Sequence, residues 1–216
     1  MTNVSNFNNQ NQQEEIVNAM SHGLGVGLAI AGTAVLLVCA ALYSDAMGVV
    51  SASIYGFSLI CLFTMSTLYH SFRNTKIKKT FQIFDHCSIF VLIVGSYTPI
   101  CLSLLGGALG WTLFAVNLFF AIAGIVANAF SVKKWHKLSL VFYLLMGWSV
   151  IFAIKPLLQL IPLGGFTLLL IGGLSYSFGV IFYNAKRPRF MHSVWHLFVL
   201  SGSIFHYFFV LFYVIL

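Results

Sequence analysis

His192 and His196 stand four residues apart in the segment Phe190-Met191-His192-Ser193-Val194-Trp195-His196. In a helix, four residues advance about 400° at roughly 3.6 residues per turn, so both imidazoles share one side and can grip one metal ion. The run behind them continues almost without charge to Leu216. Ionisable groups just inside such a run are costly and mark function. Two other segments carry the same kind of chemistry: Ser66-Thr67-Leu68-Tyr69-His70, with Ser66 and His70 on one side, and Phe84-Asp85-His86. Imidazole nitrogens with a carboxylate suit zinc, and an open catalytic zinc site keeps three protein ligands. His70, His192 and His196 are the expected ligands, and zinc the expected cofactor. Asp85 either closes the site as a fourth ligand or stands behind it and holds the water that zinc activates. In the second case zinc lowers the pKa of water from ~15.7 to near 7 and polarises a carbonyl, which is hydrolase chemistry with Asp85 as general base. Ser66 joins Asp85 as a catalytic candidate.

These residues need elements to hold them, and composition says where those elements lie. Of the 216 residues, 60% are hydrophobic and 7% charged, against ~25% charged in soluble domains. The expected class is therefore an all-α integral membrane protein. Apolar runs near the ~20 residues needed to cross a bilayer number seven. They cover about Ile16 to Tyr43, Val49 to Phe72, Phe81 to Leu105, Trp111 to Val132, Leu138 to Ile154, Leu163 to Tyr183 and Met191 to Leu216. Short connections predict an antiparallel seven-transmembrane helix bundle over residues 16–216, preceded by a polar tail over 1–15. Met1 to Gln13 is rich in Asn and Gln and lacks the basic start and cleavage site of a signal peptide, so the first span is expected to stay in the membrane. Gly23, Gly27 and Ala31 make a small-residue stripe on that span, expected to admit a neighbouring helix.

A net charge of +7 would suggest nucleic acid in a soluble chain, but here the charge sits between apolar runs. Arg73, Lys76, Lys78 and Lys79 follow the second run, Lys133, Lys134 and Lys137 the fourth, and Lys186, Arg187 and Arg189 the sixth, with Lys155 alone on the other side. Basic residues remain cytoplasmic, so the amino terminus is expected inside and the carboxyl terminus outside. His70, Asp85, His192 and His196 then all fall within about two turns of the cytoplasmic ends of their helices, at one depth. Glu15, Asn18 and His22 form another stripe at this end, expected as a hydrogen-bonded plug or as support behind the ligands, with Glu14 a solvated neighbour. His86 is expected as a partner of Asp85 or an interfacial residue, and His136 as a solvated loop residue. His206, fourteen residues beyond His192, is about 21 Å away along a helix and lines a cavity at most. Cys39, Cys61, Cys87 and Cys101 lie inside apolar runs and are expected as small apolar side chains, not a disulfide framework.

Taken together, Glu14-Glu15-Ile16-Val17-Asn18-Ala19-Met20-Ser21-His22-Gly23, Ser66 to His70, Phe84-Asp85-His86-Cys87, Gly95-Ser96-Tyr97-Thr98-Pro99 and His192-Ser193-Val194-Trp195-His196 resemble the hemolysin III branch of the progestin and adipoQ receptor (PAQR) family. The resemblance implies a seven-helix fold with its amino terminus inside, and zinc near the cytoplasmic leaflet on His70, His192 and His196. It also implies a water-holding role for Asp85, hydrolysis of an amide lipid such as ceramide, and a multi-pass place in the bacterial inner membrane. Three function classes follow. The first is a zinc-dependent intramembrane hydrolase cleaving an acyl amide or ester of a membrane lipid, the second a lipid sensor or regulator with structural zinc, and the third a hemolysin-type cytolysin.

Overall fold

A computed structural model describes residues 11–185 and 189–216, and every described element is helical. Residues 1–10 of the polar tail, together with Lys186 and Arg187 of the third basic connection, lie outside the described residues. Helix α1 spans Gln12–Tyr43, α2 Ala46–Ser71, α3 Thr75–Thr98, α4 Gly107–Trp148, α5 Ile154–Leu160, α6 Leu163–Asn184 and α7 Met191–Val210. Short π-helical segments, Pro99–Leu105 and Leu211–Ile215, continue α3 and α7.

The helix starts explain where the sequence boundaries shift. The Asn11 side chain accepts the Glu14 N–H at 2.9 Å while the Glu14 carboxylate accepts the Asn11 N–H at 2.7 Å, a reciprocal cap. It starts α1 at Gln12, ahead of the expected Ile16, and so places Glu15 inside the first turn. Asn74 likewise accepts from the N–H groups of Lys76 and Ile77. Helix α3 therefore begins at Thr75, with its lysines on a helix instead of in a loop. Asp85 consequently lies in about the third turn, deeper than the two turns expected.

Among the described residues, the seven expected runs appear as six helices long and apolar enough to cross a membrane. The fourth and fifth merge because the connection through Lys133 to Lys137 is itself helical, broken only at Ser131 (φ −169°, ψ 104°). That one extended residue reverses the chain. Ser139 donates to Asn128 at 2.8 Å and Asn117 to Ser149 at 2.9 Å, although eleven and thirty-two residues of straight helix would span roughly 16 and 48 Å.

The bundle is apolar outside, and within its apolar core it buries a set of polar groups. Phe130, Phe152 and Leu163 are exposed at 83%, 84% and 78%, whereas Asn18, Ser66, His70 and His196 are buried. With lipid as apolar as leucine, close backbone approach and interhelical hydrogen bonds hold such helices together. Close approaches of α1 to α2 are made at Gly25, where a Cβ would lie 2.5 Å from the Phe63 ring, and at Gly56 of α2, where one would come closer still to Thr33. They are not made along the expected stripe, since Gly27 faces open space and Gly23 only an ordinary contact. The chain enters α7 through Phe190, a bulky residue at φ 65° in the left-handed region that L side chains avoid. Its N–H donates to the Glu14 carboxylate at 2.9 Å, so Glu14 joins the two chain segments and is not merely solvated.

Candidate metal centre

His70 ends α2 and His192 and His196 open α7, so the centre is built where two helix ends converge. One ring nitrogen from each lies within 4.8 Å of the other two. The His192–His196 ring centroids are 4.8 Å apart and the His70–His196 centroids 4.9 Å apart. Expected spacing on α7 and expected pairing with α2 thus meet in one cluster that can hold a metal ion.

The hydrogen bonds decide which nitrogens face inward. The Nδ1 of His70 lies 2.8 Å from Glu15 Oε2. A carboxylate only accepts, so Nδ1 carries the proton. The Nε2 of His70 is left buried with no hydrogen-bond partner among the described residues, a bare lone pair of the kind a cation satisfies. On His196, Nδ1 is shared between the Asn18 carbonyl and Ser21 Oγ, each at 3.2 Å, which leaves its Nε2 for the centre. Asn18 also accepts through its side chain from Ser193, one residue after His192. His22 stacks on His196 with centroids 3.7 Å apart and planes 13° off parallel. The stripe of Glu15, Asn18 and His22 therefore supports the ligands from one side.

Asp85 and Ser66 line a single cavity with His22, His192 and His196, walled by apolar groups such as Leu62, Leu92 and Val199. Asp85 stands outside the three-nitrogen cluster. Its Oδ2 is 3.6 Å from His86 Nδ1. His86 is tied down by other groups: Nδ1 donates to the Gln82 carbonyl at 2.9 Å and Nε2 pairs with the Tyr183 hydroxyl at 3.1 Å. His136 is helical, with its ring 5.3 Å from that of Tyr183, and so is not a loop residue. His206 reaches the far part of the cavity and pairs with the Leu169 carbonyl at 3.2 Å. All four cysteines are free.

Three contributors escaped the sequence reading. Ser21 touches His196, Tyr183 touches His86, and Lys78 reaches Glu15 Oε2 at 2.9 Å. Ser21 was findable, three residues from Asn18 on the same helical side. Lys78 was hidden by its plausibility as a topology signal.

A sequence profile of haemolysin-III-related proteins matches residues 10–207. Hemolysin-3 of Bacillus cereus is 45% identical over 203 residues, covering 94% of this chain and 93% of that protein. A hemolysin-3 homolog of Bacillus subtilis (strain 168) is 46% identical over 201 residues, covering 93% and 94%. Monocyte to macrophage differentiation factor of Homo sapiens is 29% identical over 205 residues, covering 90% and 82%.

Proposed function

The chain belongs to the haemolysin-III-related family, a family of membrane proteins, and on that premise we propose that it is a zinc-dependent intramembrane hydrolase of membrane lipids. The bond cleaved is an acyl amide or ester. His70, His192 and His196 hold the metal, Asp85 acts as general base, and Ser66 offers a hydroxyl on the same cavity wall. Counting the two arms of α4 as separate crossings gives seven, with the basic turns at the cytoplasmic face, the amino terminus inside and the carboxyl terminus outside. The setting is the bacterial inner membrane.

One observation carries this reading: the buried, unpartnered Nε2 of His70 beside two further imidazoles, next to a cavity that also holds Asp85. When bound, zinc supplies Lewis acidity toward a carbonyl and lowers the pKa of water toward 7. The protein does the rest. The three imidazoles fix the reacting point, the apolar wall seats an acyl chain, and Asp85 takes up a proton from the attacking water.

The test is elemental analysis followed by lipid turnover. Purified protein is expected to hold about one zinc per chain and to release fatty acid from at least one lipid in a panel of acyl amides and esters. Asp85→Ala is expected to retain zinc and lose turnover. Absence of turnover by metal-loaded protein across the panel ends the enzymatic reading. A second reading, a lipid sensor with structural zinc, draws support from the burial of His70 and His196 at 4% and 1% exposure. It requires that His192→Ala chiefly lower thermal stability, because bound metal contributes folding free energy.

A further inference from the structure

We infer that Glu15 is a positioning residue for the metal centre: it fixes the tautomer and ring orientation of His70, and Lys78 holds the Glu15 carboxylate in place from the first turn of α3. The inference rests on the metal-binding reading above, and not on the hydrolytic reaction or its lipid.

A neutral imidazole can carry its proton on either nitrogen, and only the nitrogen without it can bind a cation. The side chain of His70 is fully buried, so water cannot choose between them. The neighbour that chooses is Glu15, 2.8 Å from Nδ1. An acceptor there keeps the proton on Nδ1 and leaves the lone pair on Nε2, the nitrogen that lacks any partner. The rings of Tyr69, His192 and His196 pack around His70 at 4.6–5.2 Å but do not choose its tautomer, and Glu15 is the observed hydrogen-bond partner of the ring among the described residues.

Lys78 supplies the other half. Its Nζ lies 2.9 Å from the same Glu15 oxygen and 3.1 Å from the Tyr69 carbonyl, and it sits 4.7 Å above the Tyr69 ring. The ammonium is thus fastened to the end of α2 by two contacts that do not involve Glu15. Glu15, His70 and Lys78 come from three different helices, so the triad also sets the relative placement of α1, α2 and α3 at the centre. The side chains of Glu15 and Lys78 keep 18% and 26% exposure. Water therefore screens the ion pair, and the geometry it imposes on His70 matters more than its attraction.

The experiment uses the full chain in lipid nanodiscs, with zinc itself as the probe in competition against a chromophoric chelator. Supporting groups of this kind change metal affinity by roughly 10- to 100-fold, and Glu15→Ala is expected to fall in that range. Glu15→Gln still offers an oxygen to the Nδ1 proton and is expected to stay within about tenfold of the parent. Lys78→Met is expected to weaken zinc less than Glu15→Ala does. Nitrogen-15 NMR of the metal-free protein supplies a readout that a purely structural role would not move. His70 should carry its proton on Nδ1 in the parent and in Glu15→Gln, and show mixed tautomers in Glu15→Ala. Parental zinc affinity in Glu15→Ala, or a His70 proton on Nε2 in the metal-free parent, overturns the inference. If Glu15→Ala does not fold, a Glu15→Gln protein with the His70 proton on Nε2 overturns it equally. A parent that binds no zinc defeats the metal reading instead, while the tautomer measurement still decides the role of Glu15.

Discussion

Adding a single methyl group at Gly25 tests whether helix packing and the metal centre are mechanically joined. A Cβ at this position would meet Phe63 ring carbons at 2.5 and 2.8 Å, whereas ordinary contact begins at 3.4 Å. The ring must then retreat by about 1 Å; Phe63 is only 2% exposed and borders, with Gly25, an apolar groove between α1 and α7 that gives it one direction of escape. The same ring meets His22, one turn before Gly25 on α1, edge-on with centroids 5.1 Å apart, and His22 stacks on His196. Overpacking of this size costs about 1–3 kcal/mol, less the ~0.5–1 kcal/mol that alanine returns over glycine in a helix. Gly25→Ala is therefore expected to lower the apparent Tm and to weaken zinc binding, because the ring that moves is packed on His22, which stacks on the ligand His196. Gly27→Ala is the control: with nothing near its Cβ, only the helix propensity gain remains and the Tm should hold or rise. Thermal unfolding by tryptophan fluorescence, with zinc competition on the same samples, measures both. Equal Tm values for the two variants, or a more stable Gly25→Ala with unchanged zinc affinity, would refute the coupling.

Other expectations concern the ligands and their supports. Chelation of zinc should lower the Tm of the parent and leave that of His70→Ala unmoved, since ligand binding stabilises only a fold that binds it; a chelator shift of equal size in both would remove His70 from the centre. Asn18→Ala removes the acceptor of the Ser193 hydroxyl and should cost roughly 0.6 kcal/mol, the average for interhelical hydrogen bonds in membranes, and no more than about 1.7 kcal/mol, their maximum, as checked by unfolding in detergent. Glu14→Gln retains the cap but drops a charge from the acceptor of the Phe190 N–H. Charge-assisted hydrogen bonds are about twice as strong as neutral ones, so a modest Tm loss is expected and an unchanged Tm would show the α7 start to be held otherwise. Liposomes carrying protein without His70, His192 and His196 are expected to retain an entrapped dye, and leakage there would favour the cytolytic reading.

Much of this protein is decided by local sequence. Apolar runs of about 20 residues cross lipid as helices, which satisfy their own backbone groups, and the spacing of His192 and His196 puts two imidazoles on one side of α7 wherever that helix goes. The stripe of Glu15, Asn18 and His22 is equally local, since all three project from one side of α1. What tertiary structure decided was the rotation and approach of each helix against its neighbours. That is why α1 comes closest to α2 at Gly25 and Thr33 while Gly27 faces open space, and why Lys78 turns from a topology charge into a partner of Glu15. It is also why the fourth and fifth runs join through one helical connection that reverses at Ser131. Periodicity records which residues share a side of one helix, but the partner of that side is fixed only when all the helices pack at once. The choice of His70 Nε2 as the free nitrogen depends on a carboxylate 55 residues away in sequence, and no local pattern carries that information.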